Sequence, residues 1–532
     1  MASWSGGLVM VVGYGSLLVV SYLSLLFTYR ARFHPLSKYS GPSIAKVSDV
    51  YGGFYALLMR LHLVTYRDHI RYGPVMRHGP NKLVFNSAAA LQDIYNNDRV
   101  TKSHVYLLTV NSPGVYSIFN AIDKHQHRIR RKLIGQAVTE RSMRAFEPTM
   151  TSQINIFLKR LLICSGARSP PQPVNMTDIC KRLGIDIVGL LAFGYRLNTQ
   201  TRAKYQFILK GLKAGNYKSN SFMQFPLLKK LRIDSLLHVL SVAQRTRYMS
   251  MMETMISSRL AQETHAHNDL YSFVAHDIDT GGGGGIRVGQ LWTEALFFFP
   301  AGGDTTSTAL SAMFFYLSRN PDVYKKLADE IRSIFTSGID IQGGPRLSSC
   351  RYLRACIDET LRMSPPVPGT LWRELISEEA SKQNAAPFLV DGHVISPGTQ
   401  VGVNIYTLHH NPEYFPDPFV FSPERWLVND EKQLKSMNSA FAAFSFGARG
   451  CAGKAMAYLE MSLVVAKTLW YFDFEMADGE LGATGAGVPG PRNLRIGRGR
   501  PEEFQLYDIF SSTHDGPVLK FACRGELGKE LD

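Results

Sequence analysis

Hydrophobic and polar positions divide the chain near residue 30. Leu8 to Phe27 is a run of twenty uncharged, mostly apolar residues. At about 1.5 Å per residue it makes a helix long enough to cross a bilayer. No lysine or arginine precedes it, whereas Arg30, Arg32 and Lys38 follow, so the positive-inside rule predicts a cytosolic body. A cleaved signal peptide is the rival, but the basic start is missing and the apolar run is long for one. Residues 1–30 therefore read as a membrane anchor, 31–50 as a linker stiffened by Pro35 and Pro42, and 51–532 as the body.

Within the body, Tyr51 to Arg71 has helical apolar spacing, with a start expected after Gly52 and Gly53. Pro74 to Asn86 predicts a hairpin closed by Gly79, Pro80 and Asn81. From Ala88 to Phe335 the spacing is largely helical, broken by the five glycines 281–285 ahead of a long helix, Leu291 to Ser318. No Lys-Ser/Thr follows those glycines, so they are a loop and not a phosphate cradle. Beyond Arg362 come prolines and short strands, and Tyr507–Phe510 and Pro517–Phe521 read as strands paired around Asp515. The pattern predicts a mainly α body with small β-sheets, and no internal repeat.

The 532 residues show no composition break after residue 50, which favours one large domain. No second nucleotide-binding unit is visible, so electrons for any redox chemistry are expected from a separate protein. Six scattered cysteines lack metal-site, haem-attachment or disulfide spacing. The sequon at Asn175 is expected to be unused in a cytosolic body. A net charge of +15 leaves nucleic acid, anionic membrane or an acidic protein as partners. Its densest cluster, Lys124 to Lys132, lies on one helical run without a nucleic-acid module, which excludes nucleic acid.

One cysteine stands apart. Phe444, Gly447, Arg449, Gly450, Cys451 and Gly453 fall within ten residues, at the start of the helical run Lys454 to Phe472. Gly447 and Gly450 permit turns of positive φ that aim N–H groups at a sulfur. A helix start favours a thiolate. Arg449 suits a carboxylate, Phe444 can exclude water from the sulfur, and Gly453 leaves room for a flat ligand face. Together these describe Cys451 as the axial ligand of a haem iron.

Here the chain resembles the cytochrome P-450 superfamily of haem-thiolate monooxygenases. Three further signatures lie upstream in the family's order: Ala301 to Thr306, Glu359 to Arg362, and Pro423 to Trp426. The connector His34 to Pro42 is similar to that of filamentous-fungal members of secondary metabolism. The resemblance implies the P-450 fold, haem b, electrons from NADPH through cytochrome P-450 reductase with cytochrome b5 as a second donor, O2 as oxidant, and an endoplasmic-reticulum membrane location. It assigns Asp304 and Thr305 to proton relay beside the iron, where Pro300, Gly302 and Gly303 open the helix. It makes Glu359, Arg362 and Arg425 a buried structural network. Arg449, Arg131 with His127, and Arg373 become partners of the haem propionates, and the exposed side of the Lys124–Lys132 helix a docking face for the reductase.

The expected reaction inserts one oxygen atom from O2 into a lipophilic small molecule by hydroxylation, epoxidation or multistep oxidation. Residues 101–119, 297–299 and 367–371 are expected to line its pocket. The rivals are a reductase-independent isomerase or dehydratase, and a non-catalytic haem-binding membrane protein.

Overall fold

The computed structural model describes residues 2–110, 114–166, 171–233, 242–263, 269–274, 293–294, 296–376, 379 and 386–531. The apolar run forms a helix, Ala2–Thr28, followed by a π-helical turn at Tyr29–Phe33. Residues Val12–Phe33 are long and apolar enough to cross a membrane. Leu18 and Leu25 are 71% and 72% exposed, so the helix leaves its apolar side chains unburied by the body. Arg30 donates to the Val47 carbonyl at 2.7 Å, and Arg77 donates to the Arg30 carbonyl at 2.7 Å. Leu36 and Tyr39 join an apolar cluster with strand residues Leu83 and Val401. These contacts fix the direction in which the apolar helix leaves the body.

The expected helix over 51–71 is two helices, Val50–Leu57 and Leu61–Tyr72. Met59, at a φ of 54°, breaks them, and the first begins before Gly52 and Gly53 rather than after. Gly53 is a packing position: a Cβ there would sit 2.5 Å from the Phe225 ring. The hairpin forms as expected, Val75–Gly79 against Lys82–Phe85. It extends into a five-stranded sheet through parallel pairing of Lys82–Phe85 with Gln400–Val403, followed by Arg373–Leu375 and Val100–Lys102. The C-terminal expectation is corrected. Among the described residues Tyr507 forms a single bridge, to Thr513, while Val518–Cys523 lies between Phe472–Met476 and Val174–Asn175.

Helices Glu140–Cys164, Met176–Phe193, Thr305–Arg319, Arg351–Met363 and Lys454–Tyr471 share the largest apolar core. Every residue from Thr306 to Leu317 is buried, which places this distal helix at the centre of the molecule. Ahead of it, Phe299–Asp304 is wound as a π-helix. Pro300 contributes no N–H to the helical ladder, and a π-bulge absorbs that defect. Gly302 and Gly303 also let the Met176–Phe193 helix come close. A Cβ on Gly184 would lie 2.7 Å from the Gly303 carbonyl oxygen, and one on Gly303 would lie 2.8 Å from Ile185. The glycines 281–285, like the first residues of the predicted long helix, lie outside the described residues.

Candidate active site

A cavity of about 700 Å³ separates the π-helical segment from the cysteine loop. Ala301, Gly302 and Thr305 line one side; Phe444, Arg449, Cys451 and Gly453 line the other. Cys451 is open to this cavity yet enclosed by the protein around it. Its N–H donates to the Phe444 carbonyl at 2.8 Å, and the Phe444 ring packs on Tyr458. Positive φ occurs at Ser445 (55°) and Gly447 (67°), whereas Gly450 is extended at φ −64°. Gly447 tolerates no side chain, because a Cβ would meet the Tyr95 carbonyl at 2.1 Å. No atom lies within 4 Å of a Cβ built on Gly453, so that face is open. Burial pushes the Cys451 thiol above its ordinary value, opposed by the Gly453 N–H, Arg131 and Lys454. The helix start thus favours the thiolate through the Gly453 N–H, and burial outweighs it.

Cations crowd the same cavity. Arg449 is half-buried and donates to the Ala121 and Ile122 carbonyls at 2.6 and 2.8 Å and to Thr101 Oγ1 at 2.9 Å. Arg373 is buried, and its guanidinium donates to the Leu371 and Trp372 carbonyls. Arg131 donates to the Gly450 carbonyl at 2.5 Å, tying its helix to the cysteine loop. His127 lines the cavity and is held neutral, its pKa lowered to about 3 by burial and then by Arg449, Lys102, Arg131 and Arg373. Lys102 was not anticipated. It sits directly opposite Arg373 in the sheet register and donates to the Ile118 and Phe119 carbonyls. Burial, then Arg373 and Arg449, hold its pKa well below the ordinary lysine value. Like charges facing each other across a strand pair are unfavourable. No aspartate or glutamate lies among the described lining residues.

On the far side of the π-helical segment, Asp304 is buried and does not line the cavity. Burial pushes its pKa up to about 6, against the pull of Lys181 and an Asn216 hydrogen bond of 2.9 Å. Asn216 does line the cavity, so one side chain connects the two. Thr305 Oγ1 donates to the Ala301 carbonyl at 2.6 Å. The structure thus brings Thr305 to the cavity and turns Asp304 away from it.

Behind the cysteine loop, Glu359 takes Arg362 in a two-pronged pair at 2.9 and 2.9 Å, with Arg425 at 3.0 Å and Trp426 Nε1 at 3.0 Å. Burial alone would raise the Glu359 pKa, but Arg362, Arg425 and the Ser422 N–H bring it below its ordinary value. His409, unforeseen from the sequence, extends the network: Nδ1 faces the Arg362 carbonyl at 3.0 Å, and Nε2 accepts from the Ala442 N–H at 2.8 Å.

The cytochrome P450 family model matches residues 54–482. The chain belongs to the cytochrome P450 family. It is 33% identical to cytochrome P450 monooxygenase AKT7 of Alternaria alternata over 95% of this chain and 96% of the relative. Identity is also 33% to the monooxygenase poxM of Penicillium oxalicum, over 95% and 94%. A third relative, apf7 of Gibberella fujikuroi, is 33% identical over 94% and 96%.

A P450 is an oxidoreductase that carries haem, and the residues of this P450 fit one. The Cys451 sulfur opens on the cavity beside the uncovered Gly453 face, which suits an iron held otherwise by a porphyrin. The opposed cations Lys102, Arg373 and Arg449 match a dianion, which two propionates supply. Of the expected substrate contacts, Phe119, Phe297, Phe298, Val367 and Leu371 line the cavity, while Phe299 is buried with Ile185 in a core cluster.

Proposed function

We propose that this P450 is a monooxygenase that inserts one oxygen atom from O2 into a lipophilic small molecule. The observation that carries the reading is that Cys451 and the opened turn at Thr305 face each other across a single, largely apolar cavity. Bound haem supplies the iron at which O2 is activated. Cys451 would hold that iron through its sulfur, with Lys102, His127, Arg131, Arg373 and Arg449 as the groups available to the propionates. Glu359, Arg362 and Arg425 brace the segment behind the ligand.

The chain's own part is to bind substrate, exclude water and handle protons. Phe119, Phe297 and Val367 give substrate an apolar wall and hold it by shape. Thr305 spends its hydroxyl proton on the Ala301 carbonyl, so its oxygen offers lone pairs to a donor in the cavity. Asp304, with a pKa near 6, can hold and release a proton close to neutral pH. Asn216 joins its carboxylate to the substrate cavity.

Electrons come from NADPH through a separate reductase, with cytochrome b5 as a second donor. Lys124, Arg128 and Lys132 form the exposed face of the helix whose inner face carries His127 and Arg131, and offer an acidic partner a docking site close to the cofactor. The apolar N-terminal helix anchors the P450 in the endoplasmic-reticulum membrane, with Arg30 and Arg32 keeping the body cytosolic. The fungal relatives support secondary metabolism as its setting. Incubation with reductase, NADPH and isotopically labelled O2 over a panel of lipophilic compounds tests the reading. One labelled oxygen atom in a product, dependent on reductase, is expected; turnover of a hydroperoxide without reductase or NADPH would favour an isomerase instead.

A further inference from the structure

Glu294 lies ahead of the π-helical segment and is buried. Its Oε1 accepts the Ile118 N–H at 2.8 Å and lies 3.3 Å from Arg130 Nε. Arg130 in turn donates to the Tyr116 carbonyl at 3.0 Å from the opposite side of the same loop. Its second oxygen is buried without a hydrogen-bond partner. Burial outweighs Arg130 and the Ile118 N–H and pushes the Glu294 carboxyl up to about 8, so near neutral pH the group holds the loop by hydrogen bonding and packing rather than as a charge.

The loop it grips has two duties. Ser117, Ile118, Phe119 and Asn120 are cavity wall, and the Phe119 ring stacks on Phe297 of the distal segment at 5.1 Å. The carbonyls of Ile118, Phe119, Ala121 and Ile122 receive Lys102 and Arg449. No backbone–backbone hydrogen bond joins residues 116–119 to the 293–299 segment among the described residues. Among the described residues, the Glu294 carboxyl on the Ile118 N–H and the Phe119 ring on Phe297 join this wall to the distal segment.

We propose that Glu294 is a positioning residue: with Arg130 it clamps the 116–122 loop against the distal segment and so sets the size and shape of ligand that the cavity accepts. That this ligand is a substrate rests on the monooxygenase reading; the clamp itself does not. It acts through Ile118 and the Phe119 ring, without touching the reacting atoms.

The test uses the haem-loaded full-length chain and needs no turnover. Amide exchange in peptides covering 114–122 is compared with that of 305–319 in wild type, Glu294→Ala, Glu294→Gln and Arg130→Gln. Leaving the buried Ile118 N–H without its acceptor should speed loop exchange about tenfold or more in Glu294→Ala while 305–319 is unmoved. Glu294→Gln, whose remaining oxygen can still accept from Ile118, should recover part of that protection. In parallel, spectral titration compares imidazole with a bulky triaryl azole, both of which ligate the iron. Imidazole affinity should stay within about twofold, and the ratio of the two affinities should shift at least about fivefold, roughly 1 kcal/mol by the usual conversion. Exchange that rises equally throughout the body, or azole and imidazole affinities that move together, would reduce Glu294 to a general stability element and overturn the proposal. Should Glu294→Ala not retain haem, Glu294→Gln and Arg130→Gln carry both comparisons.

Discussion

The Thr305 hydroxyl donates to the Ala301 carbonyl oxygen, 2.6 Å away and one turn back along the same segment. This bond closes the opened stretch begun by Pro300 and fixes the direction of the oxygen lone pairs towards the cavity. Thr305→Ala removes both effects. Thermal stability should fall by about 1 kcal/mol, one hydrogen bond's worth. If Thr305 also directs protons, product per NADPH should fall about tenfold or more while NADPH consumption continues and hydrogen peroxide rises. A well-folded Thr305→Ala enzyme with unchanged coupling would leave only the structural bond. Asp304→Asn should slow turnover more than it uncouples, because Asp304 meets the cavity through Asn216 and not directly.

Glu359 neutralises two buried guanidinium groups at once. Glu359→Gln leaves Arg362 and Arg425 facing each other without a counter-charge. Equilibrium unfolding should show a loss of about 3–5 kcal/mol, with haem lost first on dilution. A loss below about 1 kcal/mol would mean that the carbonyls of His409, Pro416 and Pro418 already satisfy the two arginines.

Glu460 gives the fold a pH dependence unconnected with the cavity. Burial alone raises its carboxyl from 4.5 to about 8, and one of its oxygens has no partner. The folded chain keeps a proton there that the unfolded chain has lost. Stability therefore falls as pH rises from about 5 to 8, at up to about 1.4 kcal/mol per pH unit from this group. Glu460→Gln carries no such charge. Its stability relative to wild type should rise across that window, read from unfolding curves at pH 5, 6, 7 and 8. Parallel curves for the two proteins would refute the assignment.

Deleting residues 1–30 should free a haem-loaded body from the membrane without unfolding it, since Leu18 and Leu25 contribute nothing to the core. Release need not be complete: Leu227 and Leu231 are 46% and 62% exposed on the body, although Phe222 beside them points inward. Protease added outside sealed microsomes should digest the full-length body. Protection, or glycan at Asn175, would reverse the orientation.

The residues proposed to carry chemistry were legible because their meaning is local. A cysteine between glycines at a helix start, a Glu three residues before an Arg, and a proline followed by paired glycines each encode their geometry within a few positions. Lys102 was not legible, since its three-residue strand gains significance only on pairing with Arg373, far along the chain. His409 and Asn216 are likewise defined by partners in distant elements. The helix break at Met59 lacks the glycine or proline that would announce a left-handed residue. The C-terminal strands misled for a related reason. Tyr507–Phe510 has strand-like composition, but Phe472–Met476 and Val174–Asn175 take both edges of Val518–Cys523. Asp304 was legible by type but not by direction: at the π-helical turn it faces Lys181 and Asn216, and only its tertiary partners reveal that.

The whole account turns on Cys451 as the iron ligand, and the carbon monoxide complex of the reduced protein reports on that atom directly. Wild type should show the red-shifted Soret band of a thiolate ligand. Cys451→His should retain some haem, because imidazole also binds iron, and should lose that band completely. Persistence of the red-shifted band in Cys451→His would place the ligand elsewhere and contradict the assignment of the site.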